Sequence, residues 1–229
     1  MSRLGNVLLV HDGDVAAAAN DVREAGFVVT ATNKGREGLR LARCISPDLV
    51  MIRRLLPDIS GLDVCKLIKT DPRTSVASVI ILDDRADEAE RIAGLEAGAD
   101  DVLAEQVSNR ELVARLRSVL PNKDVVLEAP AGKRLRVGTL VLDANAHTAE
   151  VDGADVPLTL LEFRLLWTLA SSNGVPHTRS ELLQGVWGPN IRVEARTVDQ
   201  HIKRLRLKLA SEKERLQTVR HMGYRFDCG

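Results

Sequence analysis

Short apolar runs alternate with longer amphipathic stretches through the first half of this 229-residue chain. The runs at 7–10, 27–31, 49–52, 79–82 and 102–103 read as buried strands. After each of them, apolar residues recur at helical spacing, over 15–25, 37–44, 64–69, 89–97 and 110–120. Five strands separated by helices predict an α/β domain built on a doubly wound, parallel five-stranded sheet. Such a sheet gathers its chemistry at the carboxyl ends of the strands, which is where His11, Asp12, Arg53, Asp83 and Glu105 fall.

The periodicity stops at Pro121, and 122–133, with Pro130 and Gly132, reads as a linker between a domain at 1–121 and another at 134–229. The second half has a different pattern. Alternation at 135–137, 140–142 and 149–151 predicts a small antiparallel sheet, and 216–226 a closing hairpin. Two capping boxes, Thr159-x-x-Glu162 and Thr178-x-x-Glu181, each open an apolar-periodic helix. A third helix begins near Arg196, with Val198, Ile202, Leu205 and Leu209 forming one buried stripe. Its other face carries Arg196, Thr197, Gln200, His201, Lys203, Arg204 and Lys208, with Asp199 near the amino end, where an acid suits the helix dipole. A helix of this width fits the major groove of DNA, where Arg, Lys and Gln read base edges.

Charge adds a mild polarity to this picture. The chain carries 32 basic and 32 acidic residues, but 1–121 holds 16 and 19 of them and 122–229 holds 16 and 13, so the halves are −3 and +3. The cysteines Cys44, Cys65 and Cys228 lack metal-ligand spacing and read as reduced structural thiols. No signal peptide is apparent at the amino terminus, and no apolar run approaches the roughly 20 residues of a membrane span. A cytoplasmic protein without metal, cofactor or membrane partner is expected.

The segment Pro47-Asp48-Leu49-Val50-Met51-Ile52-Arg53-Arg54-Leu55-Leu56-Pro57-Asp58-Ile59-Ser60-Gly61 resembles the third strand and following loop of a response-regulator receiver domain. The likeness extends over about residues 5–120, through Val7–Asp14, Gly94–Asp101 and Glu111–Arg115. It implies a flavodoxin-like fold in which an aspartate accepts a phosphoryl group beside Mg²⁺. Here the acceptor position is Arg53, the acidic pair is His11-Asp12, the switch hydroxyl is Asp83, the lysine is Glu105 and the switch aromatic is Val102. A guanidinium cannot form an acyl phosphate. The expectation is a degenerate, non-enzymatic receiver in which Arg53 is an internal cation for Asp12, Asp83 and Glu105.

Residues 134–229 resemble the winged-helix effector domain of OmpR/PhoB-type regulators. The likeness is carried by Leu158–Phe163, Thr178–Leu183, Val186-Trp187-Gly188, Arg196–Arg206 and Thr218–Phe226. It implies that Arg196, Thr197, Gln200, His201 and Arg204 meet bases or nearby phosphates. It implies too that Lys203, Arg206 and Thr218 hold the DNA backbone and that Arg220 on the wing enters the minor groove. His221 stands where the wing usually has glycine. In this branch receivers pair across a two-fold axis, which implies a homodimer with Arg91 facing the partner copy's Glu111 position and Asp101 its Arg115 position. The connection 189–195 is where relatives touch RNA polymerase, which the resemblance adds as a partner. The expected function is a sequence-specific transcription regulator dimerised without aspartyl phosphorylation. The rival readings are a receiver phosphorylated on an unconventional aspartate and a protein-interaction adaptor that has lost DNA binding.

Overall fold

The computed structural model describes residues 5–84, 87–120, 134–188 and 195–229. The chain divides into two units, 1–122 and 123–229, and the expected linker at 122–133 lies outside the described residues.

In the first unit the strands β1 (Asn6–Val10), β2 (Val28–Thr32), β3 (Leu49–Arg53), β4 (Ser78–Asp83) and β5 (Asp101–Ala104) form one parallel sheet in the order β2-β1-β3-β4-β5. That is the flavodoxin-like order of a doubly wound sheet. The intervening helices are α1 (Val15–Glu24), α2 (Gly35–Ile45), α3 (Gly61–Thr70), α4 (Glu88–Glu96) and α5 (Asn109–Val119). Helices cover both faces, so the central strands are apolar throughout: Leu8, Leu9, Val50, Ile52, Ile80 and Ile81 are fully buried. The start of α3 lies hard against the end of β3. A Cβ added to Gly61 would sit 2.2 Å from the Arg53 carbonyl oxygen, so only glycine permits that approach. This contact fixes where Arg53 leaves the sheet.

The second unit opens with a four-stranded antiparallel meander, β6 (Arg134–Val137), β7 (Leu140–Asp143), β8 (Thr148–Val151) and β9 (Ala154–Val156). The sequence pattern missed β9, an edge strand of three residues, too short for its alternation to stand out. Helices α6 (Leu160–Ser171), α7 (Arg179–Trp187) and α8 (Ala195–Lys208) follow, with the short strand β10 (His177–Thr178) before α7. A 3₁₀ turn at Ala210–Arg215 leads into the hairpin of β11 (Leu216–Val219) and β12 (Gly223–Phe226), on which β10 pairs. Both predicted capping boxes form, Thr159 with Glu162 and Thr178 with Glu181. Phe163, Leu182, Val198, Ile202, Leu205 and Phe226 make the core of a winged helix. Among the described residues no helix is long and apolar enough to cross a membrane.

Candidate functional site

Arg53 is the last residue of β3 and stands at the carboxyl edge of the sheet. Its guanidinium donates to Asp12 at 2.5 Å and to Asp84 at 3.0 Å, and it lies 3.1 Å from Glu105. These partners, the Asp12 hydrogen bond first and the Asp84 bond next, hold the Arg53 proton more firmly than usual. Asp84 is held below the ordinary carboxylate range, first by the neighbouring Glu105 and then by its hydrogen bond with Arg53. Glu105 is also bonded to His11 Nε2 at 2.8 Å. Because His11 Nδ1 accepts the Gly13 N–H at 3.0 Å, the ring proton belongs on Nε2, and a neutral imidazole donates to Glu105. One guanidinium thus binds carboxylates from the ends of three strands.

Asp83 is not among them, which corrects the expected cluster. Its carboxylate lies 2.7 Å from Arg54 Nε, and Arg54 reaches on to Glu90 of α4 at 2.6 Å. Past the end of a strand consecutive side chains diverge, so Arg53 turns toward β1 and β5 while Arg54 turns toward α4. The sequence reading did not assign roles to Arg54, Glu90 or the Arg53–Asp84 pair. The doublets Arg53-Arg54 and Asp83-Asp84 carried that signal, since two adjacent cations facing two adjacent acids suggest two bridges.

The Mg²⁺ implied by the receiver likeness does not fit this arrangement. Of the acidic pair only Asp12 remains a carboxylate, and Arg53 already binds it. The other acids at the site, Asp84 and Glu105, face the same guanidinium. A divalent ion drawn to these oxygens would meet a full positive charge at contact distance. Among the described residues no group of three His, Cys, Asp or Glu side chains could hold a metal ion.

On the face formed by α4, β5 and α5, the residues of one expected intersubunit pair already meet within a single chain. Arg115 is buried and bonds Asp101 of its own chain at 3.0 Å, with Glu111 at 3.4 Å. Burial pushes the Asp101 carboxyl upward, and the adjacent Arg115 opposes that rise. The pair closes internally because α5 turns Arg115 inward onto β5, four residues after the exposed Glu111. Arg91 and Glu111 retain access to solvent.

The second unit presents α8 and the β11–β12 hairpin. Arg196 and Lys203 are exposed, Gln200 and Arg204 half-buried, and Thr218 and Arg220 exposed on the hairpin. Thr197 and His201, expected on the DNA face, are buried at 2% and 0% exposure. The His201 ring bonds the Thr197 carbonyl at 2.9 Å and stands edge-on to Trp187. The helix packs against both α6 and α7, which widens its buried face beyond the single predicted stripe. Lys208 is also turned inward, bonding the Pro157 carbonyl and the buried Glu162, each at 2.7 Å.

Arg206 holds the protein's own backbone. It donates to the Leu216 carbonyl at 2.9 and 2.7 Å and to Thr218 Oγ1 at 2.9 Å. Its guanidinium lies 5.9 Å from the centre of the Tyr224 ring, and that of Arg179 5.0 Å. Asp199 completes the network, accepting from Arg179 at 2.7 Å and from the Tyr224 hydroxyl at 2.6 Å. Burial first, and then the bond to Asp199, push the Tyr224 phenol up to about 12. The network ties α7, α8 and the hairpin together, a role for Asp199 that its place near the helix amino end did not reveal. Most of the expected polymerase-contacting connection, 189–194, lies outside the described residues.

The family model described as "Response regulator receiver domain" matches residues 7–117, and "Transcriptional regulatory protein, C terminal" matches 153–226. The phosphate regulon transcriptional regulatory protein PhoB of Pseudomonas aeruginosa is 42% identical over 185 residues, 79% of this chain and 78% of that protein. Transcriptional regulatory protein CseB of Streptomyces avermitilis is 35% identical over 237 residues, covering 98% of this chain and 99% of its own. Among solved structures, a mutant of RitR superposes with a TM-score of 0.73 at 25% identity, over 98% of this chain and 99% of that one.

Proposed function

Since the chain belongs to the OmpR/PhoB-type response regulators, and is therefore a DNA-binding transcription regulator, we propose that its receiver works without aspartyl phosphorylation. In this reading 1–121 is a pseudo-receiver, 122–133 a linker and 134–229 the DNA reader. The observation that carries it is Arg53, a permanent cation bound to Asp12, Asp84 and Glu105 where a metal ion and a phosphoryl group would otherwise meet. Phosphoryl transfer depends on positioned cations around an acceptor oxygen. Here the cation is tethered, the acceptor is absent, and Glu105 would repel the incoming phosphate.

The test is incubation of the full chain with a small phosphodonor and Mg²⁺, followed by intact-mass measurement. The mass should stay unchanged. A stoichiometric gain of one phosphate, labile to hydroxylamine, would establish the rival in which another aspartate is the acceptor. Arg53→Asp alone should not create phosphorylation, because Glu105 still occupies the lysine position.

DNA reading in this proposal falls to Arg196, Gln200 and Arg204 for bases, Lys203 for phosphates, and Thr218 and Arg220 on the hairpin. Thr197, His201 and Arg206 support that surface from behind. Dimerisation through α4, β5 and α5 draws on Arg91 and Glu111, while Asp101 and Arg115 stabilise each subunit's own face. The likeness to relatives keeps 189–195 as the candidate contact for RNA polymerase.

A further inference from the structure

The pairing of Val219 with Gly223 leaves Arg220, His221 and Met222 as the tip of the β11–β12 hairpin, closed by the Met222 N–H on the Val219 carbonyl at 3.1 Å. His221 has a φ of 60°, in the left-handed region. Glycine holds that conformation without cost; a residue with a Cβ holds it against steric strain. The sequence nevertheless places glycine at 223, where φ is not positive and where a Cβ would meet the His177 carbonyl oxygen at 2.1 Å. The strained position carries an exposed imidazole instead. Strain kept at an exposed tip points to a use for the side chain.

The surroundings say what that use is. Residues 216–226 contain two arginines and one histidine and no carboxylate. All three tip residues are exposed. Arg206 bonds both Leu216 and Thr218, so the hairpin is fixed to the same helix that carries Lys203 and Arg204. A narrow, acid-free ribbon tip anchored beside a DNA-reading helix suits the minor groove, about 6 Å wide, whose A·T pairs expose only acceptors. A narrow A·T minor groove also concentrates negative potential and draws inserted Arg, Lys and His side chains.

We propose that His221 is a DNA contact, its imidazole donating to minor-groove acceptors of A·T pairs beside Arg220. The proposal rests on the DNA-reading assignment, which Lys203 and Arg204 variants test separately.

The experiment titrates the full chain, His221→Gly and His221→Asn on duplexes selected by the parent from random DNA. The same duplexes are then made with 2,6-diaminopurine for adenine outside the major-groove contacts, which puts an amino group in the minor groove. Both variants should melt within a few degrees of the parent, and the glycine variant no lower than the asparagine one. The glycine variant should bind the adenine duplexes more weakly, by about three- to tenfold, as expected for one hydrogen bond lost. The asparagine variant, whose shorter amide still donates, should lose less. On diaminopurine DNA the difference between parent and variants should vanish. Equal affinity of parent and variants on adenine DNA overturns the proposal. So does an equal loss on both DNAs, which would place the imidazole against phosphate or in folding alone.

Discussion

A guanidinium differs from a magnesium ion in that its charge is bonded to the chain and cannot be withdrawn. Replacing Arg53 by Ala leaves Asp12, Asp84 and Glu105 crowded without their cation. Asp12 and Asp84 are exposed and Glu105 half-buried, so solvent screens the pairs and the loss of stability at pH 7 should be modest. Part of its pH dependence follows from Asp84, whose carboxyl lies below its ordinary value in the folded chain, first through Glu105 and then through Arg53. Such a group contributes stability above its unfolded pKa, about 3.9, and that contribution is lost as pH falls through the lower folded value. The deficit of Arg53→Ala should therefore be full at neutral pH and shrink below about pH 4, which urea melts at several pH values will check. At this scale Arg53 was legible, because an arginine at the end of β3 is conspicuous. The partner of Asp83 was not, because sequence order does not say which way side chains turn once a strand ends.

Among elements, α8 repays the closest attention, since its polar residues divide into those open to solvent, to which the proposal gives the DNA, and those facing the protein. Lys203→Ala should weaken binding to all sequences alike and lower the slope of log affinity against log salt by roughly 0.9. Arg204→Ala should cost about 1–3 kcal/mol and relax preference at particular base pairs. Arg206→Ala should weaken binding with the salt slope unchanged, because its donors go to Leu216 and Thr218 and hold the hairpin in place. A slope reduced as much as in Lys203→Ala would return Arg206 to the phosphate contacts. His201→Ala should lower the melting temperature and leave base preference intact, given the ring's burial against Trp187. The apolar stripe of α8 was plain in the sequence. The burial of Thr197 and His201 was not, since a polar residue next to an apolar stripe can turn either way, and only the packing of α6 and α7 decides.

For the whole molecule, the sequence carried the fold well because each unit obeys its own periodicity: continuous apolar strands under two helix layers first, then capped helices and a hairpin. What escaped was short or polar, such as β9 and β10. Assembly depends on surfaces, which periodicity does not describe. The full chain should sediment as a dimer at tens of micromolar, and Glu111→Arg should weaken that dimer while Arg91→Glu combined with it should restore it. Arg115→Ala should instead lower the stability of each subunit, because Arg115 neutralises the buried Asp101. A chain that stays monomeric at those concentrations, or a dimer indifferent to both charge reversals, would remove this face from the proposal.

The tether of Arg53 bears finally on time. A phosphoryl group on aspartate has a lifetime, and that lifetime is how long a conventional regulator remembers its stimulus. An arginine side chain does not decay. On the proposed reading the protein has no internal clock, and its output follows the number of copies present, rising and falling with synthesis, dilution and proteolysis. On the same reading two copies act together, so promoter occupancy should rise more steeply than in proportion to copy number while the dimer is sparse. Stepwise control of expression, read against a target promoter, would reveal that curvature, and the decay after synthesis stops would match the disappearance of the protein itself.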